Sequence, residues 1–345
     1  WGLRRDGIAG TDGATGDSLG IEAAIGTAEP ALHRLRDGEV GRGGVGGGPL
    51  HSFNPGGFGT LRAREPMVLG HEVSGRIVAL GAGVAGLAVG DLVAVNPSRP
   101  CGTCRYCREG LQNQCLHMRF YGSAMPMPHI QGAFQEVLVA DASQCVKADG
   151  LSPAEAAMAE PLSVCLHAVR QAGDLLGKRV LVTGSGPIGV LTVLVARRAG
   201  AEEIVATDIA DFTLGFAGRA GADRIVNTMA DPDAMAAFDV QCECSGAGPA
   251  LAAGIAAVRP RGTIVHVGMG GDKTVPMQAV TTKELTLRGT FRFHEEFAVA
   301  VNLMRKGLID AKPLITHVLG LDDAVAAFEL ATDRSRAMKV QLAMA

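Results

Sequence analysis

The chain has 345 residues, 47% hydrophobic and 19% charged, enough apolar material for real cores, so global disorder is excluded and two domains of about 100–200 residues are expected. Its formal net charge of −3 argues against a nucleic-acid or anionic-membrane partner, either of which needs a basic face. No apolar run reaches the ~18–20 residues of a membrane helix, and Trp1-Gly2-Leu3-Arg4-Arg5 neither begins with Met nor carries the apolar core of a secretory signal, so the expectation is a cytoplasmic protein with a fragment or misassigned start.

Residues 1–50 are glycine-rich and show neither helical nor strand periodicity. The run Gly41-Arg42-Gly43-Gly44-Val45-Gly46-Gly47-Gly48 is predicted to form neither helix nor ordinary strand interior, because each glycine gives up much backbone entropy on ordering. From about residue 66 the pattern becomes regular. Strands over 67–80, 90–95 and 133–139, separated by glycine turns, suggest an antiparallel, barrel-like region. A polar lobe holding Cys101, Cys104, Cys107 and Cys115 interrupts it. Ser152-Pro153 opens a helix running to 172. From Lys178 onward, strands at 179–183, 203–208, 224–226, 240–243 and 263–267 alternate with helices at 187–199, 212–220 and 249–258. That alternation predicts a parallel, doubly wound α/β sheet. Short mixed elements return after 285, with helices at 296–306 and 321–331.

Eight cysteines are present, none before residue 101, and four of them lie between 101 and 115. In an intracellular chain this clustering points to metal rather than disulfides. Four thiolates close a tetrahedral shell around Zn²⁺ and leave no open position, which makes a structural zinc site; reduced surface thiols or an iron–sulfur cluster are the alternatives. Cys165, by contrast, reads as a buried apolar cysteine. Gly184-Ser185-Gly186-Pro187-Ile188-Gly189 follows a strand and opens a helix. Gly184 permits the tight turn, Gly186 lets the backbone approach a pyrophosphate, and Gly189 lets helix and strand pack closely. The start of the helix, at Pro187 and Ile188, offers free N–H groups to phosphate. Asp208 ends the next strand, where an acid accepts from an adenosine ribose and repels a 2′-phosphate, so NAD is favoured over NADP. The alternative is a glycine turn in a flavodoxin-like fold with a surface Asp.

Gly70-His71-Glu72, the four-cysteine lobe, Ala159-Glu160-Pro161-Leu162 and Gly184–Gly189 occur in an order and at intervals that resemble the zinc-dependent medium-chain dehydrogenase/reductase superfamily, in its polyol (sorbitol-type) branch. Residues 119–134 are most similar to the L-idonate 5-dehydrogenases within it. The resemblance spans about 53–345. It implies a GroES-like β-rich catalytic domain from 1–154 and 289–345, with the zinc lobe at about 97–118, and a Rossmann NAD-binding domain over 155–288. It also implies a homodimer or homotetramer, a small polyol or sugar acid as partner, and hydride transfer between a secondary alcohol and the nicotinamide. His71, Glu72 and Glu160 would hold a catalytic zinc, Glu160 directly or through water. An open metal position lowers the pKa of a bound alcohol; His71 alone would read as a structural histidine. Val267-Gly268 would face the nicotinamide amide through backbone groups. Arg292 would reach the cleft and grip a carboxylate, or would pair with Glu295 or Glu296. His129 and Gln131 would line the cleft, while Met125 and Met127 would pack.

The family's remaining ligand is a Cys in a Gly-x-Cys-Gly-Ser/Thr-Asp-x-His segment before Gly-Gly-Phe-Gly. Counting back from Gly56-Gly57-Phe58-Gly59, Gly46 stands at the Cys, Gly48 at the relay hydroxyl and Pro49 at the Asp, while His51 keeps the family's histidine. Glycine can neither ligate zinc through a side chain nor pass a proton. Two readings stand side by side: a reading-frame or gene-model error garbling roughly the first 50 residues of a normal enzyme, and a catalytically impaired NAD-binding homologue that keeps only the structural zinc. A third, a metal-independent quinone-reductase relative, is opposed by the cysteine lobe and the His71-Glu72 pair.

Overall fold

Six parallel strands form the sheet in the middle of the chain. In spatial order they are Arg224–Asn227, Glu203–Asp208, Arg179–Thr183, Phe238–Glu243, Val258–His266 and Thr286–Gly289. Every neighbouring pair is parallel, and the order reverses direction at the first strand in sequence, the doubly wound pattern that leaves a crevice at the strands' carboxyl ends. Arg179–Thr183 shows why. Val180 and Val182 join one apolar core, while Leu181 joins another with Val205, Val226 and Phe238 on the opposite face. A strand covered on both faces needs a near-continuous apolar run, and Val180-Leu181-Val182 supplies one.

The computed structural model describes residues 22–26, 42–45, 57–58, 61–62, 64–231 and 237–344. Both flanks of the parallel sheet feed a second sheet of eight strands. Its main path runs Cys145–Lys147, Leu92–Val95, Glu72–Leu80, Arg42–Val45, Lys339–Ala343 and Ile315–Gly320, with Glu22–Gly26 bridging Glu72–Leu80 and Val137–Asp141. These pairings are antiparallel apart from Ile315–Gly320 with Lys339–Ala343, which is parallel. Ser98–Arg99 pairs separately with Arg119–Phe120 at the root of the cysteine lobe.

Two expectations are corrected. The glycine run does contain a strand: Gly43 lies opposite Val73 and Leu342, and Gly44 opposite Glu72. Missing side chains make this possible. A Cβ on Gly43 would stand 2.6 Å from Met344 and 2.8 Å from Phe134, and one on Gly44 would stand 1.8 Å from the Glu72 carboxylate. The helix expected over 152–172 is two helices, Pro153–Ala157 and Ala159–Ala172, broken at Met158 with ψ −7°. The Ser152 hydroxyl accepts from the Glu155 N–H and caps the first. The break lets the second helix start afresh with Glu160 in its first turn.

Candidate active site and metal centres

Gly70 sets the site up. Its φ of 95° is open to glycine and strained for other residues, and a Cβ there would lie 2.5 Å from the Phe134 ring. Neighbours along a strand point to opposite faces, but His71 occupies the turn before strand Glu72–Leu80, so its ring and the Glu72 carboxylate converge. Glu160 arrives from the interdomain helix. The ligand atoms of His71, Glu72 and Glu160 all lie within 4.8 Å of one another.

Lys339, 1% exposed on the last strand, forms an ion pair with Glu72 Oε2; that oxygen accepts no well-aligned hydrogen bond among the described residues. Burial holds the His71 imidazole down at about 4, with Lys339 and Arg292 acting in the same direction against Glu72. It is therefore neutral near pH 7, the form that binds metals. Burial, and then the Glu72 charge, push Glu160 well above the usual carboxylate range, against Lys339 and Arg292. One neutral imidazole and two buried carboxylates, one of them without a direct cationic partner among the described residues, are a donor set that fits a divalent metal. Gly46, Gly48, Pro49 and His51 lie outside the described residues.

Arg292 also turns toward the cluster. Its φ is 56°, and its guanidinium stacks 4.5 Å from the Phe120 centroid and 4.7 Å from that of Phe291, donating to Met125 Sδ at 3.4 Å. Burial lowers it to about 10, while the Glu160 and Cys115 charges act in the opposite sense. Glu295 and Glu296 are not its partners: Arg170 pairs with both, and His167 lies 3.1 Å from Glu296. Of the two residues expected to line the cleft, His129 and Gln131, the histidine has no ring nitrogen left for a ligand. His129 is buried, with Nε2 accepting from the Arg64 N–H and Nδ1 against the Pro126 carbonyl; Gln131 Oε1 accepts from the Val68 N–H. His129 thus spends both ring nitrogens on knitting loops together, while Gln131 is exposed and engages its Oε1 in the same way. Met125 and Met127, expected to pack, are exposed.

The four cysteines of the lobe likewise bring their sulfurs within 4.8 Å of one another. Backbone N–H groups of Cys101 and His117 donate to Cys115 Sγ, and that of Cys104 to Cys101 Sγ. N–H groups of Thr103 and Cys104 draw the Cys101 thiol down to about 6. Preformed sulfurs already served by N–H donors fit a tetrahedral soft-ligand metal such as Zn²⁺. Cys165 is fully buried, its thiol against the Ile188 carbonyl.

At the glycine loop, Gly184 has φ 86° and a Cβ on Gly189 would sit 1.8 Å from the Gly184 carbonyl oxygen. Gly186 caps helix Pro187–Arg198, with Pro187 in its first turn. The Asp208 carboxylate accepts from the Ser185, Ile209 and Ala210 N–H groups, tying the loop to the end of the second strand. Val267 and Gly268 both donate their N–H to the Glu243 carbonyl at the end of strand Phe238–Glu243. One helix joins the two centres. Glu160 belongs to the metal cluster, and Val164, one turn on, packs with Val267 and Ile188. Four residues of helix rise only about 6 Å.

Lys339 was invisible in the sequence reading. Its signal is a single cation inside the apolar run Met338-Lys339-Val340-Gln341-Leu342, where a strand buried on both faces must pair it with something.

Residues 40–150 match the alcohol dehydrogenase GroES-like domain family and residues 187–306 the zinc-binding dehydrogenase family. The chain is 42% identical to L-idonate 5-dehydrogenase (NAD(P)(+)) of Escherichia coli over 315 residues, 88% of this chain and 90% of the relative. It is 36% identical to sorbitol dehydrogenase of Gallus gallus over 311 residues, 87% of this chain and 86% of the relative. The crystal structure of the Escherichia coli L-idonate 5-dehydrogenase superposes with a TM-score of 0.85 at 39% identity, covering 94% of this chain and 91% of that one.

Proposed function

The chain belongs to the zinc-binding alcohol dehydrogenase family with a GroES-like domain, and from that premise we propose that it oxidises a secondary hydroxyl of a polyol or sugar acid to a ketone, with L-idonate as the reference substrate. The observation that carries the reading is the meeting of His71, Glu72 and Glu160 one helical turn from the residues packed on the dinucleotide loop. Bound by those three side chains, zinc would polarise the substrate oxygen, and a nicotinamide would take the hydride. Every other contribution belongs to the chain. Desolvation keeps His71 free of a proton and available as a donor. Glu160, the carboxylate not paired with Lys339, is the one that adjusts as charge enters the site. Arg292 presents its planar donors to a substrate carboxylate, the group that separates a sugar acid from a neutral polyol.

The cysteine lobe would hold a second, structural zinc, and Asp208 at the end of the second strand supports NAD over NADP. The same reading assigns the GroES-like domain to 1–154 and 289–345 and the nucleotide domain to 155–288, supported by the division of strands between the two sheets. A homodimer or homotetramer is supported by edge strand Thr286–Gly289, exposed at every residue and open to further pairing. Eight free cysteines suit the reducing cytoplasm, and no helix among the described residues is long and apolar enough to cross a membrane.

The test is zinc content by mass spectrometry together with NAD⁺-dependent oxidation of L-idonate by the purified chain. Two zincs per chain with turnover support the proposal. One zinc with NADH binding but no turnover identifies the impaired homologue. No zinc at all overturns both metal assignments.

A further inference from the structure

We propose that Asn113 is a positioning residue for Arg292, acting through the Phe291 carbonyl; the inference rests on the reading of Arg292 as the receptor for a substrate carboxylate. Asn113 lies in the short turn Gln112–Gln114, two residues before Cys115. Its Nδ2 donates to the Phe291 carbonyl at 3.0 Å, across 178 residues of sequence. The peptide plane that carries this oxygen also carries the Arg292 N–H. Anchoring the oxygen therefore fixes the plane from which Arg292 departs. That departure needs an anchor, because φ 56° at Arg292 is a left-handed conformation that a side-chain-bearing residue holds only when its surroundings impose it.

The rest of the cradle comes from the neighbouring Phe291 ring, 4.7 Å from the guanidinium, and from the segment that follows the lobe. Phe120, whose ring lies against the guanidinium, is on the strand paired with Ser98–Arg99 at the root of the lobe, and Met125 Sδ accepts from the guanidinium. Backbone and side chain of Arg292 are both referenced to the four-cysteine lobe. The guanidinium forms no ion pair among the described residues, so its donors remain directed at the site. The lobe thus does more than stabilise itself: it aims the cation that discriminates an acid from a neutral polyol.

The experiment is calorimetric titration of the zinc-loaded, NADH-bound protein, a complex that cannot oxidise an alcohol, with L-idonate, with sorbitol as the neutral comparison. Asn113→Ala is expected to weaken L-idonate binding by about five- to tenfold, the net worth of one hydrogen bond, and to leave NADH and sorbitol affinities unchanged. Arg292→Ala is expected to weaken it further, and adding Asn113→Ala to Arg292→Ala should bring no additional loss, because the two act as one unit. Asn113→Asp keeps the size but replaces the donor with an acceptor; it should match Asn113→Ala, and it decides the matter if the alanine variant sheds lobe zinc. Equal L-idonate binding by wild type and Arg292→Ala would sink the receptor reading and this proposal together. A loss in Arg292→Ala with none in either Asn113 variant, or losses that add in the double variant, would overturn the Asn113 role alone.

Discussion

Replacing Lys339 by Met tests the electrostatics of the site without touching a metal donor. The lysine side chain is 1% exposed and that of Glu72 4%, so no water can enter to solvate the carboxylate once the ammonium is gone. Met keeps most of the apolar stem contacts, which isolates the loss of charge. Removing one partner of a buried pair costs about 3–5 kcal/mol, set against a typical total stability of about 5–15 kcal/mol. At about 2 °C per kcal/mol for a unit of this size, the metal-stripped variant should melt about 6–10 °C below metal-stripped wild type. Lobe zinc is removed from both proteins and cancels in the difference. Two further measurements sharpen the test. Added zinc should narrow the gap, because a divalent ion supplies Glu72 with a new positive partner. The double variant Glu72→Gln, Lys339→Met should recover most of the loss, since neither charge is then stranded. The assay is thermal unfolding by circular dichroism in chelator and in zinc. A Lys339→Met protein as stable as wild type without metal, or a double variant no better than the single one, would refute the argument.

Burial pushes Glu296 up, but hydrogen bonds from His167 and from the His294 backbone N–H outweigh it and hold the carboxyl at about 2. Because this lies below its ordinary value of 4.5, the associated stability is complete above that value and is lost as pH falls toward 2; Glu296→Gln should flatten the decline in urea midpoint over that window, and an unchanged slope would count against it. Gly189→Ala puts a methyl 1.8 Å from the Gly184 carbonyl oxygen, and overpacking of that kind should weaken NADH binding by about ten- to a hundredfold in a fluorescence titration, with an unaltered dissociation constant as the contrary result. Cys104→Ser should lower zinc content by one per chain, and full retention of zinc would remove the lobe as a metal site.

How legible each part was depends on whether its signal is local. The parallel sheet was readable because strands buried on both faces need runs such as Val180-Leu181-Val182, punctuated by glycines at the turns. The lobe was readable from cysteine spacing alone. The antiparallel sheet was readable in part: the strands expected over 67–80, 90–95 and 133–139 are found at Glu72–Leu80, Leu92–Val95 and Val137–Asp141, whereas Arg42–Val45 is specified by partners far away. Gly43 and Gly44 carry no pattern of their own and become strand residues only because Phe134, Met344 and Glu72 fill the space beside them. The break at Met158 also escaped, since residues 153–172 contain no interior glycine and the only interior proline is Pro161. Lys339 hid for the opposite reason: a lysine is read as surface until a buried carboxylate is known to face it. His129, expected to line the cleft, has both ring nitrogens engaged by loop backbone from residues 64 and 126, a pairing that no local feature of the sequence reveals.

The helix Ala159–Ala172 serves both sheets at once. Val164 packs with Val267 and Ile188 beside the dinucleotide loop, while Ala159 and Leu162, on either side of Glu160, share a core with Leu92 and Ala94 of the antiparallel sheet. An ion seated among the three donors would fasten that shared helix to the strand Glu72–Leu80 by a third tie, so that stripping the ion would loosen an element on which both sheets rest.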